Sequence, residues 1–279
     1  MGFKKENLPS YEYKKILCEK NEIETLDNKT SHTNDYSNCV EPFNNFNTKF
    51  KSNHDELKTK CYKNGPKCCR DVNYYLDFAT GIFKSSMLEN DDKNRLIKLL
   101  KDELEVSVRD KSIYTCERPT DLDSTRKRCI LQHLHDLKED EHFILSYAEA
   151  YKKYLEKKWK KIINYTDIQP SSLFFKIENN SMGIIENYKK FLDSSDYICD
   201  NNLDELSADD IKISTNVNSF LTSISLDRMS PNLGKNICYN KPYVDMLKYK
   251  ASNLQRINND LSIGITLLGF FLILIFLYE

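Results

Sequence analysis

The far end of the chain sets the strongest constraint. From Leu261 to Tyr278 eighteen residues pass without a charge, bracketed by Asp260 and Glu279. As a helix rising 1.5 Å per residue this run reaches ~27 Å, close to the ~30 Å hydrocarbon core of a bilayer. The pattern predicts one C-terminal transmembrane helix, anchored through Leu261, Ile263, Leu267, Phe270, Leu274 and Tyr278, with Tyr278 suited to the membrane interface. Met1 to Pro9 carries no apolar signal-peptide core. Lys248, Lys250 and Arg256 precede the run and no basic residue follows it, so the positive-inside rule places the preceding region in the cytosol.

The cysteines point the other way. Nine are spread over that region: Cys18, Cys39, Cys61, Cys68, Cys69, Cys116, Cys129, Cys199 and Cys238. Dispersed cysteines in that number suit an oxidising compartment, and all nine are disulfide candidates. Adjacent cysteines rarely bond to each other, so Cys68 and Cys69 are expected to tie the start of one helix to two different segments, with Cys18, Cys39 and Cys61 the near candidates. An odd total leaves at least one thiol outside intramolecular pairing.

Helical periodicity dominates the rest. Phe43, Phe46, Phe50 and Leu57 form one stripe over 42–63, and Val72, Tyr75, Leu76, Ala79, Ile82 and Phe83 form another. Leu96, Leu99, Leu100 and Leu104 mark a third. The longest stripe, from Ile130 through Leu134, Leu137, Ile144, Ala148, Tyr151, Leu155 and Trp159 to Ile162, interrupted by Glu141, predicts one helix over 124–163. Phe174, Ile177, Ile184, Ile185, Tyr188 and Phe191 predict a further helix capped by Ser171 or Ser172, and another is expected near 207–225. No alternating strand pattern stands out. The fold class expected is all-α: a polar N-terminal segment with a short helix (1–41), an irregular multi-helix domain with disulfide-compatible loops (42–242), a juxtamembrane helix (243–260) and the transmembrane helix (261–278).

Catalytic chemistry finds little to work with. Seven glycines in 279 residues, two of them (Gly264 and Gly269) in the terminal run, leave almost nothing from which to build a phosphate-cradling loop. No nucleophile elbow, H-E-x-x-H or P-loop occurs. A formal net charge of −1 gives no case for a nucleic-acid partner. The excess of Lys and Asn over Ala and Arg follows the codon usage of an A+T-rich genome and says little about function. Lys152, Lys153, Lys157, Lys158, Lys160 and Lys161 around Trp159 read as a solvated helix face, as do Asp136, Glu139, Asp140 and Glu141. Cys129, His133 and His135 lie close enough in sequence to share a metal on one helix, but one ragged cluster lacks the paired spacing of a zinc site. A disulfide between Cys116 and Cys129 is the plainer expectation. No cofactor, no metal and no small-molecule substrate is expected, and the chain is read as non-enzymatic. Asn28, Asn164 and Asn179 open glycosylation sequons that matter only in a secretory lumen.

Several short blocks carry a family likeness. They are Leu8-Pro9-Ser10-Tyr11 followed by Cys18, then Lys67-Cys68-Cys69-Arg70-Asp71-Val72-Asn73-Tyr74-Tyr75-Leu76, then Lys127-Arg128-Cys129-Ile130-Leu131, and the late apolar run without an N-terminal signal. Together they reach along the whole chain, which resembles the Plasmodium interspersed repeat family of malaria parasites. The resemblance implies a variant surface or exported antigen, displayed at the infected red cell or on parasite-derived membranes, and involved in immune evasion and adhesion or host-receptor binding. Its partners would be a membrane, crossed once, and a host protein or antibody. The alternative is a tail-anchored protein of an internal membrane with a cytosolic helical interaction domain.

Overall fold

Caps and inward apolar stripes place the helices of the first 167 residues. The computed structural model describes residues 2–17, 22–61, 64–105, 116–167, 172–199, 203–229 and 238–278; the disulfide candidate Cys18 lies outside them. After a 3-10 turn at Pro9–Tyr11 come α1 (Glu12–Leu17), α2 (Glu22–Ser31), α3 (Ser37–Cys61), α4 (Gly65–Lys84) and α5 (Asn90–Leu99). These are followed by α6 (Leu122–Glu139) and α7 (Glu141–Thr166). Asn64 caps α4 by accepting from the Lys67 amide at 3.1 Å, with Pro66 in the first turn. Asp121 caps α6 through the Ser124 amide at 2.8 Å.

The one helix expected over 124–163 is two, parted beside Glu141, where its apolar stripe is interrupted. Asp140 leaves helical geometry (φ −92°, ψ 5°) between α6 and α7, and Tyr147 breaks α7 again (φ −139°, ψ 38°). A reason for the first break is visible in the Asp140 carboxylate. It accepts from the Ser10 amide (2.9 Å), the Ser10 hydroxyl (2.6 Å) and the Tyr151 hydroxyl (2.8 Å), so the junction is clamped to the N-terminal segment.

Helix α4 is the axis of the core. Val72, Leu76, Ala79, Ile82 and Phe83 are buried along it, and Leu8, Tyr13, Leu17 and Leu26 from the start of the chain join the same core. Gly81 sets how near α7 can come: a Cβ there would stand 2.9 Å from the Lys161 carbonyl oxygen. Backbone meeting backbone leaves no side-chain rotamer to give way, so glycine is required.

The expectation of an all-α domain is corrected beyond residue 172. The segment expected to form a helix folds as a hairpin of β1 (Phe174–Glu178) and β2 (Met182–Asn187). It lies within a four-stranded sheet of order β3-β1-β2-β4, where β3 is Ile211–Ser214 and β4 is Cys238–Tyr239. β3 and β2 run antiparallel to β1, and β4 runs parallel to β2. The hairpin turn is closed by Asn179, whose side chain accepts from the amides of Ser181 (3.0 Å) and Met182 (2.8 Å). Both sheet faces are covered, which removes the alternation that marks a strand. Phe175, Ile177 and Ile184 enter the main core, whereas Ile185 and Phe174 face a smaller one with Phe220, Ile224, Tyr243 and Leu247. Gly183 admits the Tyr243 ring, since a Cβ would fall 2.3 Å from a ring carbon. The helix expected near 207–225 is likewise replaced by β3, 3-10 turns and the short helix α9 (Phe220–Ser223), which follows α8 (Tyr188–Leu192).

The expected transmembrane helix is also corrected. The last element, α10 (Lys241–Tyr278), is continuous, but among the described residues no helix is long and apolar enough to cross a membrane. Of the expected anchor residues, Leu261, Ile263 and Leu267 are exposed on α10; the side chains of Phe270, Leu274 and Tyr278 lie outside the described residues. Within the charge-free run, side chains are described from Leu261 to Leu268. The turns before it carry Lys248, Lys250, Arg256 and Asp260.

Candidate functional site

Four charged side chains lie where α1, α4, α6 and α7 meet, each on a face that is otherwise apolar. Lys14 of α1 donates to Asp136 Oδ2 of α6 at 2.7 Å and stands 3.2 Å from Asp71 Oδ1 of α4. Lys158 of α7 reaches the same Asp136 oxygen, and all four side chains are almost fully buried. Gln132 of α6 bridges the carboxylates, its amide nitrogen donating to Asp71 Oδ1 (3.0 Å) and Asp136 Oδ1 (2.9 Å). Asp136 and Asp140, expected on a solvated face, are therefore interior. So is Lys158, while Lys152, Lys153, Lys157 and Lys160 are exposed.

The charges are mutually held. Burial alone would raise the Asp136 carboxyl, but Lys14 and then Lys158 outweigh it and hold it well below the usual carboxylate range. Burial works against the Lys14 ammonium too, yet two carboxylates more than reverse this and it is raised. Lys158 is lowered: burial dominates, Asp136 compensates in part, and Lys14 repels it. Further out on α4 and α6, Arg128 grips Asp77 with two donors at 2.9 Å, Arg118 Nε adds a third at 3.0 Å, and Lys67 pairs with Glu139.

Above this network, between the facing sides of α4 and α6, lies a cleft of about 810 Å³. Tyr74 and Trp159 line it, their rings edge to face at 5.5 Å, with Arg70, Gln132, His135 and Leu206 around them. Helical spacing explains the membership: residues 66, 69, 70, 73, 74 and 77 follow one face of α4, and 128, 131, 132, 135 and 139 one face of α6.

The metal candidates are not drawn together. His133 Nε2 meets the Ser194 carbonyl oxygen at 2.9 Å, so that nitrogen carries the proton, and its ring packs edge-on to Phe191. His135 turns to the cleft instead. Among the described residues no group of three His, Cys, Asp or Glu side chains is placed to hold a metal ion. Cys129 is a buried free thiol pushed up to about 12, first by burial and then by Asp77, so it stays protonated and is a poor nucleophile. The Cys116–Cys129 pairing is overturned, because Cys116 bonds Cys69.

Both histidines are held neutral. Burial and then Lys158 bring His133 down to about 3; burial and then Arg70 bring His135 down to about 4. Below pH 6.5 the unfolded chain takes up two protons that the folded chain refuses. Stability from these groups is complete above pH 6.5 and declines by ~1.4 kcal/mol per pH unit for each histidine as the pH falls. Glu139 and Asp140, raised chiefly by burial, offset part of that loss at the acid end. Urea unfolding should show a loss of ~2–4 kcal/mol between pH 7 and pH 5, smaller in His135→Gln. Equal midpoints at the two pH values would contradict the buried neutral state.

Comparisons with protein-family models, with curated proteins and with solved structures give no match for this chain. The site must be read from its own chemistry.

Proposed function

We propose that this chain is a non-enzymatic display and binding domain of a variant surface or exported antigen of the Plasmodium interspersed repeat type, acting at the infected red cell in immune evasion and in adhesion or host-receptor binding. The observation that carries the reading is the disulfide set. Cys61–Cys68, Cys69–Cys116 and Cys199–Cys238 form, with Cα separations of 5.8, 5.3 and 5.8 Å. Cys68 and Cys69 thus serve two different segments, Cys68 reaching one of its near candidates and Cys69 a distant one. A reducing cytosol would keep such thiols open, so three bonds favour a domain that works outside it. Cys69–Cys116 fastens a connecting segment to α4, Cys61–Cys68 ties α3 to α4, and Cys199–Cys238 ties the segment after α8 to β4, cross-links that let surface loops vary over a constant interior.

Thiol counting tests this on protein taken from infected cells without reductant. Under denaturing alkylation no more than three of the nine cysteines should react, namely Cys18, Cys39 and Cys129. Nine reactive thiols would instead favour the domain in a reducing cytosol. An antibody to residues 120–160 should label unpermeabilised infected cells; full protease protection of that region would remove the outward-facing display.

A further inference from the structure

We propose that the cleft between α4 and α6 binds an amphiphilic organic monocarboxylate, its carboxylate held end-on by the Arg70 guanidinium and its apolar body set against Leu131, Leu203 and Leu206. Arg70 is the first observation. Two arginines line the cleft, Arg70 and Arg128. Arg128 is committed to Asp77, which Arg118 shares. Arg70 has no ion pair or hydrogen bond among the described residues. Its Nε is shut away without a partner, whereas its two Nη atoms remain open on a half-buried side chain. Those two groups form a fork that matches the two oxygens of a carboxylate, and the contact makes no use of Nε. The charge of a half-buried guanidinium reaches an anion partly through protein, so the pair attracts more strongly than on an open surface.

Charge and shape narrow the class to one negative charge on an apolar body. His135 adds no second cation: burial and then Arg70 and Lys67 hold it down to about 4, with Asp204 and Asp136 opposing, so it is neutral at physiological pH. Asp204 and Glu117 line the cleft exposed. Once Arg70 is neutralised, a second negative charge on the ligand would meet only their repulsion. The glycine shortage also leaves no loop to cradle a phosphate. Leu131 presents a half-buried apolar side chain to the cleft from α6, and Leu203 and Leu206 face it from the far wall. A volume of about 810 Å³ lies within the range of small-molecule sites. The site goes beyond the display reading and is independent of the compartment, so thiol counting and ligand binding can fail separately.

Calorimetric titration of the whole oxidised chain with octanoate and with hydrocinnamate, each beside its alcohol, octanol and hydrocinnamyl alcohol, tests this. At least one carboxylate should bind saturably at one site, about tenfold or more tighter than its alcohol. The exposed apolar residues of α10 would take the alcohol at least as well as the acid, so a preference for the acid reports the cleft. Arg70→Gln should weaken the carboxylate about tenfold and leave the alcohol unchanged, with the circular dichroism retained. Arg70→Lys keeps the charge without the fork and should fall between. If Arg70→Gln does not fold, the comparison of acid with alcohol on the unaltered chain still decides. Octyl phosphate should bind more weakly than octanoate; equal or tighter binding would overturn the single-charge class. An alcohol that binds as tightly as its acid, a carboxylate indifferent to Arg70→Gln, or no saturable heat up to millimolar concentration would overturn the site.

Discussion

Asp136→Ala is expected to lower the unfolding free energy by ~3–5 kcal/mol, the range found when one partner of a buried ion set is removed. Two ammonium groups, Lys14 and Lys158, and one proton of the Gln132 amide all point at this carboxylate. Deleting it strands Lys158 away from water and leaves Lys14 with Asp71 alone. Against a total of ~5–15 kcal/mol for ordinary domains, the loss is roughly a third to a half of a mid-range stability. Asp136→Asn keeps an acceptor but loses the charge, and should fall between. Lys158→Met should be milder, below ~2 kcal/mol, because Lys14 still neutralises Asp136 and a methionine fills much the same volume. Equilibrium denaturation by urea measures all three, and an Asp136→Ala midpoint within ~1 kcal/mol of the unaltered chain would exclude the network as described.

Opening the Cys69–Cys116 bond is the second large effect. Chain-entropy reasoning ties the stabilisation to the length of the closed loop. The 47-residue separation of this pair corresponds to ~4 kcal/mol, against ~2 kcal/mol for the 7-residue separation of Cys61–Cys68. Cys69→Ser/Cys116→Ser should therefore lower the melting temperature more than Cys61→Ser/Cys68→Ser, with both measured by calorimetry without reductant. The reverse order would mean that the longer loop is already restricted in the unfolded chain. Because Cys69 also lines the cleft, the first variant reports on that wall as well.

The helices of the first half were readable because each presents one apolar face to the core, as Val72, Leu76, Ala79 and Phe83 do on α4. The hairpin was not, since Phe175 and Ile177 are buried on one side while Lys176 is buried on the other, its ammonium bonded to the Ser223 carbonyl at 2.9 Å. A strand buried on both faces loses its period of two and can borrow the look of a short helix. The ion network was hidden for a different reason. Asp136 and Lys158 stand among other charged residues, and composition assigns such runs to the surface. A signal was present: Asp136 falls between Leu134 and Leu137 on the inward stripe, and Lys158 adjoins Trp159. The cleft needs the pairing of α4 with α6, which no local pattern contains.

The clamp on the N-terminal segment has a consequence for biosynthesis. Lys14 finds Asp136 across 122 residues, and Ser10 finds Asp140 across 130. A ribosome releases these partners in order, first the cations and hydroxyls of α1 and its preceding turn, and only much later the carboxylates that satisfy them. The opening segment can pack on α3 and α4 as these emerge, but its buried polar groups wait for α6 and α7. Docking is complete only when Lys158 has left the exit tunnel. A nascent chain arrested before α7 leaves Asp136 without Lys158 and Asp140 without Tyr151, so completion of the seventh helix is the step at which the clamp and the ion network close together.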